Sequence, residues 1–76
     1  MPYVNIKITR EGGPDGEGPD TKAKAAVIDG VTQVLADVLG KQPETTVVVI
    51  EEIPLESWGI GGRPVLDYRA SKALPT

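Results

Sequence analysis

Two stretches of the chain carry the hydrophobic pattern of β-strands. From Pro2 to Thr9 branched apolar residues alternate with polar ones, which predicts a strand with one apolar face; the apolar positions are Val4, Ile6 and Ile8. Between Thr45 and Glu52 the apolar residues are instead consecutive, over Val47–Ile50. Such a β-branched run is typical of a strand buried on both faces, as in a parallel sheet.

A helix is predicted between the two strands. Asp20 has the side chain of an N-cap residue, and Gly40 is suited to the left-handed conformation that ends many helices. Between them the apolar residues recur at spacings of three and four, forming one stripe: Val27, Ile28, Val31, Val34, Leu35 and Val38. The pattern predicts a helix from Asp20 to about Leu39.

The order strand, helix, strand predicts an α/β (α+β) fold, a single right-handed βαβ unit with parallel strands. We expect residues 1–76 to form one domain. The glycine- and proline-rich segment Glu11–Pro19 is expected to be a flexible loop. Glycines around Ile60 predict a short C-terminal hairpin, with a small strand over Val65–Tyr68. A polar C-terminal tail, Arg69–Thr76, follows.

The size of the chain predicts self-association. A core of 76 residues is small, and the chain has neither cysteine nor histidine, which excludes disulfides and the common zinc sites. One helix cannot cover both faces of a two-stranded sheet, and both strand edges stay open. We therefore expect copies of the same chain to complete the fold.

Charge and hydropathy exclude several classes of partner. The net charge is −3, without a basic stripe that would neutralise phosphates, so we expect no nucleic-acid partner. No apolar run approaches the ~18 residues of a membrane span, and the N-terminus lacks the features of a signal peptide. The sequence therefore predicts no membrane association and a cytoplasmic location.

The start of the chain offers a candidate base. In Met1-Pro2 the second residue is small enough for the initiator methionine to be removed, which leaves the secondary amine of Pro2 at the edge of a strand. Without histidine, an α-amino group, whose reference pKa is roughly 7.7–8.0, is the group closest to neutrality. Many proteins begin Met-Pro without any catalytic consequence, so the motif alone leaves both interpretations open.

The chain resembles the 4-oxalocrotonate tautomerase family. The resemblance rests on Met1-Pro2 opening a strand, on the βαβ order, and on the segment Trp58-Gly59-Ile60-Gly61-Gly62 after the second strand. It implies a homohexamer, built as a trimer of dimers, with sites at subunit boundaries and no metal or organic cofactor. It further implies Pro2 as general base, Trp58 as a pocket wall, and Arg10 as the anchor of a substrate carboxylate.

One position departs from the family pattern. Diacid tautomerases of this family carry a second arginine in the second strand, where this chain has an apolar residue at or near Val47. The leading hypothesis is a keto–enol tautomerase of a small 2-hydroxydienoate or 2-oxo acid, with a monocarboxylate favoured. Two alternatives stay open: a hydratase or dehalogenase that uses carboxylates such as Glu51 and Glu52, or a non-catalytic oligomeric binding module.

Overall fold

The computed structural model of the protein describes residues 1–73 and is built around one βαβ unit. Strand β1 (Tyr3–Thr9) leads through helix α1 (Thr21–Leu39) to strand β2 (Val47–Ile53). The two strands pair in parallel, in a register that runs from Tyr3 opposite Val47 to Thr9 opposite Ile53. The predicted βαβ unit is confirmed, with element bounds within two residues of those expected for the strands.

Both ends of α1 are closed by the residues that the sequence indicated. The Asp20 carboxylate accepts a hydrogen bond of 2.8 Å from the backbone amide of Ala23. At the other end Gly40 has a φ of 67°, and its amide donates to the carbonyl of Ala36 at 3.1 Å. A residue with a side chain would be strained in this conformation, which explains the glycine.

The two faces of the sheet differ in what covers them. One face carries the apolar residues of β1 and faces α1, since Lys24 of the helix forms an ion pair with Glu52 on that face. In the described residues, no helix packs extensively on the opposite face. This face carries Tyr3, Asn5, Lys7 and Thr9 from β1, and Val47, Val49, Glu51 and Ile53 from β2.

The C-terminal part forms a small hairpin followed by a helix. Strands β3 (Gly59–Ile60) and β4 (Arg63–Pro64) pair antiparallel, which confirms the predicted hairpin. The strand predicted over Val65–Tyr68 is wrong, because these residues begin helix α2 (Val65–Ala73). The predicted tail from Arg69 also begins inside this helix, and its last three residues lie outside the described part of the chain.

The fold leaves an unusual amount of apolar surface open. Among the apolar side chains that the structure describes, only Val65 is buried, whereas Val34 and Val38 on α1 are 58% and 75% exposed. The accessible surface is 5583 Å², against roughly 4,500 Å² for a compact monomer of this mass. The radius of gyration is 16.3 Å, where about 11 Å is typical of this length. Association with further copies of the chain is the simplest way to bury this apolar surface.

Candidate active site

Pro2 lies at the amino end of the sheet, directly before β1. Its carbonyl accepts a hydrogen bond of 3.0 Å from the amide of Val47, which extends the strand pairing by one residue. Pro2 is half-buried, while the side chain of Met1 is 91% exposed and accessible to processing. The backbone of the candidate base is therefore held in place, and its nitrogen is blocked only by an exposed methionine.

Val47 is the residue of β2 that lies beside Pro2. It is the first residue of the strand, it pairs with Tyr3, and it is 41% exposed. Its side chain supplies apolar surface next to the N-terminus and no charge. Within one copy, β2 therefore places no cation beside Pro2.

Arg10 lies at the opposite end of β1. Its amide donates to the carbonyl of Ile53 at 2.8 Å, and its guanidinium is exposed and reaches the Glu52 carbonyl only at 3.5 Å. The seven residues of β1 separate Pro2 from Arg10, which in extended chain is roughly 25 Å. One copy of the chain therefore does not bring the two groups to the same small substrate.

Trp58 follows the carboxyl end of β2 and is fixed at the base of the hairpin. Its amide donates to the Leu55 carbonyl at 3.2 Å, and its own carbonyl accepts from the amide of Val65 at 2.8 Å. Gly61 and Gly62 close the hairpin with φ angles of 64° and 81°, the two positive values of a type I′ turn. This turn explains the paired glycines and folds α2 back against the half-buried Trp58.

The structure adds an ion pair that the sequence did not reveal. Arg69 of α2 donates two hydrogen bonds, of 2.8 and 2.9 Å, to the two carboxylate oxygens of Glu11. The hydroxyl of Thr9 donates to the same carboxylate. These bonds, those of Arg69 first, lower the pKa of Glu11 from 4.5 to about 2. The segment after β1 is thereby joined to the C-terminal helix, directly beside Arg10.

Glu51 and Glu52 do not form a catalytic pair. As neighbours on a strand they point to opposite faces of the sheet. Glu51 accepts hydrogen bonds from Lys7 at 2.8 Å and Asn5 at 2.6 Å, and these contacts, that of Lys7 first, lower its pKa. Glu52 forms the ion pair with Lys24. Each carboxylate is thus paired with its own cation, and the lowered pKa makes Glu51 a poor base for activating water.

The described residues contain no group of three or more acidic side chains placed to hold a metal ion. Within the same residues, no helix combines the length and the apolar character needed to cross a bilayer.

Comparison with known proteins places the chain among the tautomerases. The family described as "Tautomerase enzyme" matches residues 2–68. A probable tautomerase K2 of Dickeya dadantii is 48% identical over 69 residues, which cover 91% of this chain and 94% of that protein. A 2-hydroxymuconate tautomerase of Comamonas testosteroni is 39% identical over 62 residues, covering 82% and 87% of the two chains.

A solved structure gives the same result for the fold. The crystal structure of DmpI from Helicobacter pylori superposes with a TM-score of 0.78 at 35% identity, covering 91% of this chain and 97% of that one. The family match over residues 2–68 spans β1, α1, β2 and the C-terminal hairpin, which are the elements that position Pro2, Arg10 and Trp58. This chain belongs to the tautomerase family.

Proposed function

We propose that the protein is a keto–enol tautomerase of a small 2-hydroxydienoate or 2-oxo acid, with Pro2 as general base once Met1 is removed. The observation that carries the proposal is the placement of Pro2. Its backbone is fixed by the bond to Val47 in a chain that has no histidine or cysteine to serve as an alternative. Membership of the tautomerase family supports the same reaction class.

The proposed reaction is a proton transfer within the substrate. The neutral nitrogen of Pro2 removes the proton of the enol hydroxyl, and the resulting ammonium delivers a proton to a carbon of the conjugated system. One O–H bond breaks and one C–H bond forms, so no other reactant is required. The pyrrolidine ring holds the nitrogen lone pair in one direction, which limits the entropy lost in aligning it.

The proposed site combines residues of different copies. Pro2 and Arg10 lie at opposite ends of β1, so an acid held by Arg10 meets a Pro2 only from another chain. The uncovered sheet face and the exposed apolar residues of α1 supply surface for such contacts. We propose a homohexamer, arranged as a trimer of dimers, in which Trp58 forms the apolar wall of the pocket.

The residue at position 47 favours a monocarboxylate substrate. Val47 lies beside Pro2 and brings no charge, so a second carboxylate at that end of the substrate has no cationic partner from this strand. The Glu51 and Glu52 contacts argue against the hydratase and dehalogenase alternative, because both carboxylates are already paired.

Substrate preference provides the first test. In ultraviolet assays we expect kcat/KM for phenylenolpyruvate, a monocarboxylate, to exceed that for 2-hydroxymuconate, a dicarboxylate, by about tenfold or more. The reason is that the negative charge of the dicarboxylate at the Val47 end of the site has no cation to stabilise it. The Val47→Arg variant should shift the ratio toward 2-hydroxymuconate, since position 47 is open enough for a longer side chain.

The same assays separate the alternatives. Absence of turnover of both enols would contradict the tautomerase proposal and favour the binding module. A product that has gained water, detected by mass spectrometry, would instead favour the hydratase.

A further inference from the structure

A tight turn at the end of β1 places Arg10 between two residues that contact each other. The amide of Glu11 donates to the carbonyl of Thr9 at 3.0 Å, closing a three-residue turn with Arg10 at its apex. The hydroxyl of Thr9 reaches over to the Glu11 carboxylate. The turn therefore makes Glu11, an acidic residue, the direct neighbour in the chain of the arginine proposed to hold the substrate.

Arg69 occupies that carboxylate from α2. Its two nitrogens meet the two Glu11 oxygens at 2.8 and 2.9 Å, the bidentate geometry in which an arginine neutralises a carboxylate most effectively. The pair is partly exposed, with 49% and 35% of the two side chains accessible. The bonds from Arg69 and Thr9 lower the pKa of Glu11 to about 2, so its carboxylate is ionised near neutral pH. Its charge is balanced by Arg69 rather than by protonation.

Arg10 is left as the unpaired guanidinium of this turn. Among the residues described, 1–73, three other cations form ion pairs: Lys7 with Glu51, Lys24 with Glu52, and Arg69 with Glu11. Within the described residues, the side chain of Arg10 makes only the long contact of 3.5 Å to the Glu52 carbonyl. A guanidinium in this state can receive the carboxylate of a ligand.

We propose that Arg69 is a specificity-determining residue, which keeps Glu11 from competing with the substrate carboxylate for Arg10. The inference rests on the proposed role of Arg10 as the substrate anchor. Without Arg69, Arg10 is the cation adjacent to Glu11 in the chain. Glu11 then pairs with Arg10 or repels an incoming anion, and in both cases carboxylate binding weakens while proton transfer at Pro2 is untouched.

The test uses a charge-removing variant and its suppressor. Arg69→Met removes the guanidinium and keeps an unbranched apolar side chain, Glu11→Gln removes the competing charge, and the double variant removes both. Lys72→Met is the matched control, because it deletes a cation from the same helix without touching Glu11. Each protein is assayed with phenylenolpyruvate and titrated with 3-phenylpropionate, an unreactive carboxylate, by NMR.

For Arg69→Met we expect KM and the Kd of 3-phenylpropionate to rise about tenfold, the effect of one uncompensated charge near the site, with kcat within about twofold of wild type. Adding Glu11→Gln should return both constants to near the wild-type values. For Arg69→Lys we expect KM and Kd between those of wild type and those of Arg69→Met, because lysine keeps the charge but not the bidentate geometry. Lys72→Met should leave both constants unchanged.

Unchanged constants in Arg69→Met would overturn the proposal. So would a double variant that binds as weakly as Arg69→Met, because it would indicate that Arg69 only stabilises the fold. Failure of wild type to bind 3-phenylpropionate would overturn it too, by removing the anion site. Failure of the tautomerase proposal is distinguishable, because it abolishes turnover and leaves the order of the Kd values intact.

Discussion

Replacing Pro2 with alanine is expected to lower kcat/KM for phenylenolpyruvate by roughly 10²-fold to 10⁴-fold, the usual contribution of a positioned general base. Alanine is small enough for Met1 still to be removed, and the carbonyl at position 2 still accepts the bond from Val47. The strand is therefore retained. What changes is the secondary amine, whose ring fixes the direction of the lone pair.

The control for this variant is Pro14→Ala, which removes a proline ring from the exposed loop after β1. We expect it to retain wild-type kcat/KM. Intact mass spectrometry should show that wild type, Pro2→Ala and Pro14→Ala all lack Met1. A Pro2→Ala protein that is processed, assembled and as active as wild type would contradict the role of Pro2.

Replacing Val49 with lysine is expected to abolish assembly and, with it, activity. Val49 lies in the middle of β2, opposite Asn5, on the sheet face on which no helix of the described residues packs extensively. If another copy covers this face, an ammonium at position 49 loses its hydration at a cost of several kcal/mol. We expect sedimentation to show monomers, and turnover of phenylenolpyruvate to fall by at least about 10²-fold as the composite site is lost.

Gln42→Lys is the matched control, because it adds the same charge at an exposed position before β2. It should assemble and turn over substrate like wild type. A Val49→Lys protein that remains oligomeric and active would show that the uncovered face is not an interface. The other exposed apolar residues, such as Val38 on α1, would then have to provide the contacts.

The βαβ unit was predictable from the sequence because its signals are local. Alternation in β1, the apolar stripe of α1 and the cap residues Asp20 and Gly40 each act within a few residues of chain. Helix α2 was missed for the opposite reason. Its nine residues give too short a pattern to separate helix from strand, and it opens with Val65, a β-branched residue. The amide of Val65 bonds to the carbonyl of Trp58, a contact that sequence does not reveal.

Part of the candidate site could likewise be predicted from local sequence, and part depends on contacts between distant residues. Pro2 is a candidate because it begins a strand in a chain without histidine, and Trp58 because the segment from Trp58 to Gly62 resembles the tautomerase family. The Glu11–Arg69 pair joins residues 58 positions apart and depends on the helix that was missed. The roles of Pro2, Arg10 and Trp58 in binding and catalysis stay predictions, because they depend on contacts between copies.

The pKa of the Pro2 nitrogen tests the central claim most directly. It can be measured by ¹⁵N NMR titration of processed, proline-labelled protein, in which the terminal amine is distinct from the amide nitrogens. We predict a midpoint below the roughly 7.7–8.0 of an ordinary α-amino group, equal to the midpoint of the rise in kcat/KM with pH for the free enzyme. A Pro2 nitrogen that titrates at or above that range, or at a pH unrelated to the activity profile, would contradict the assignment of Pro2 as general base.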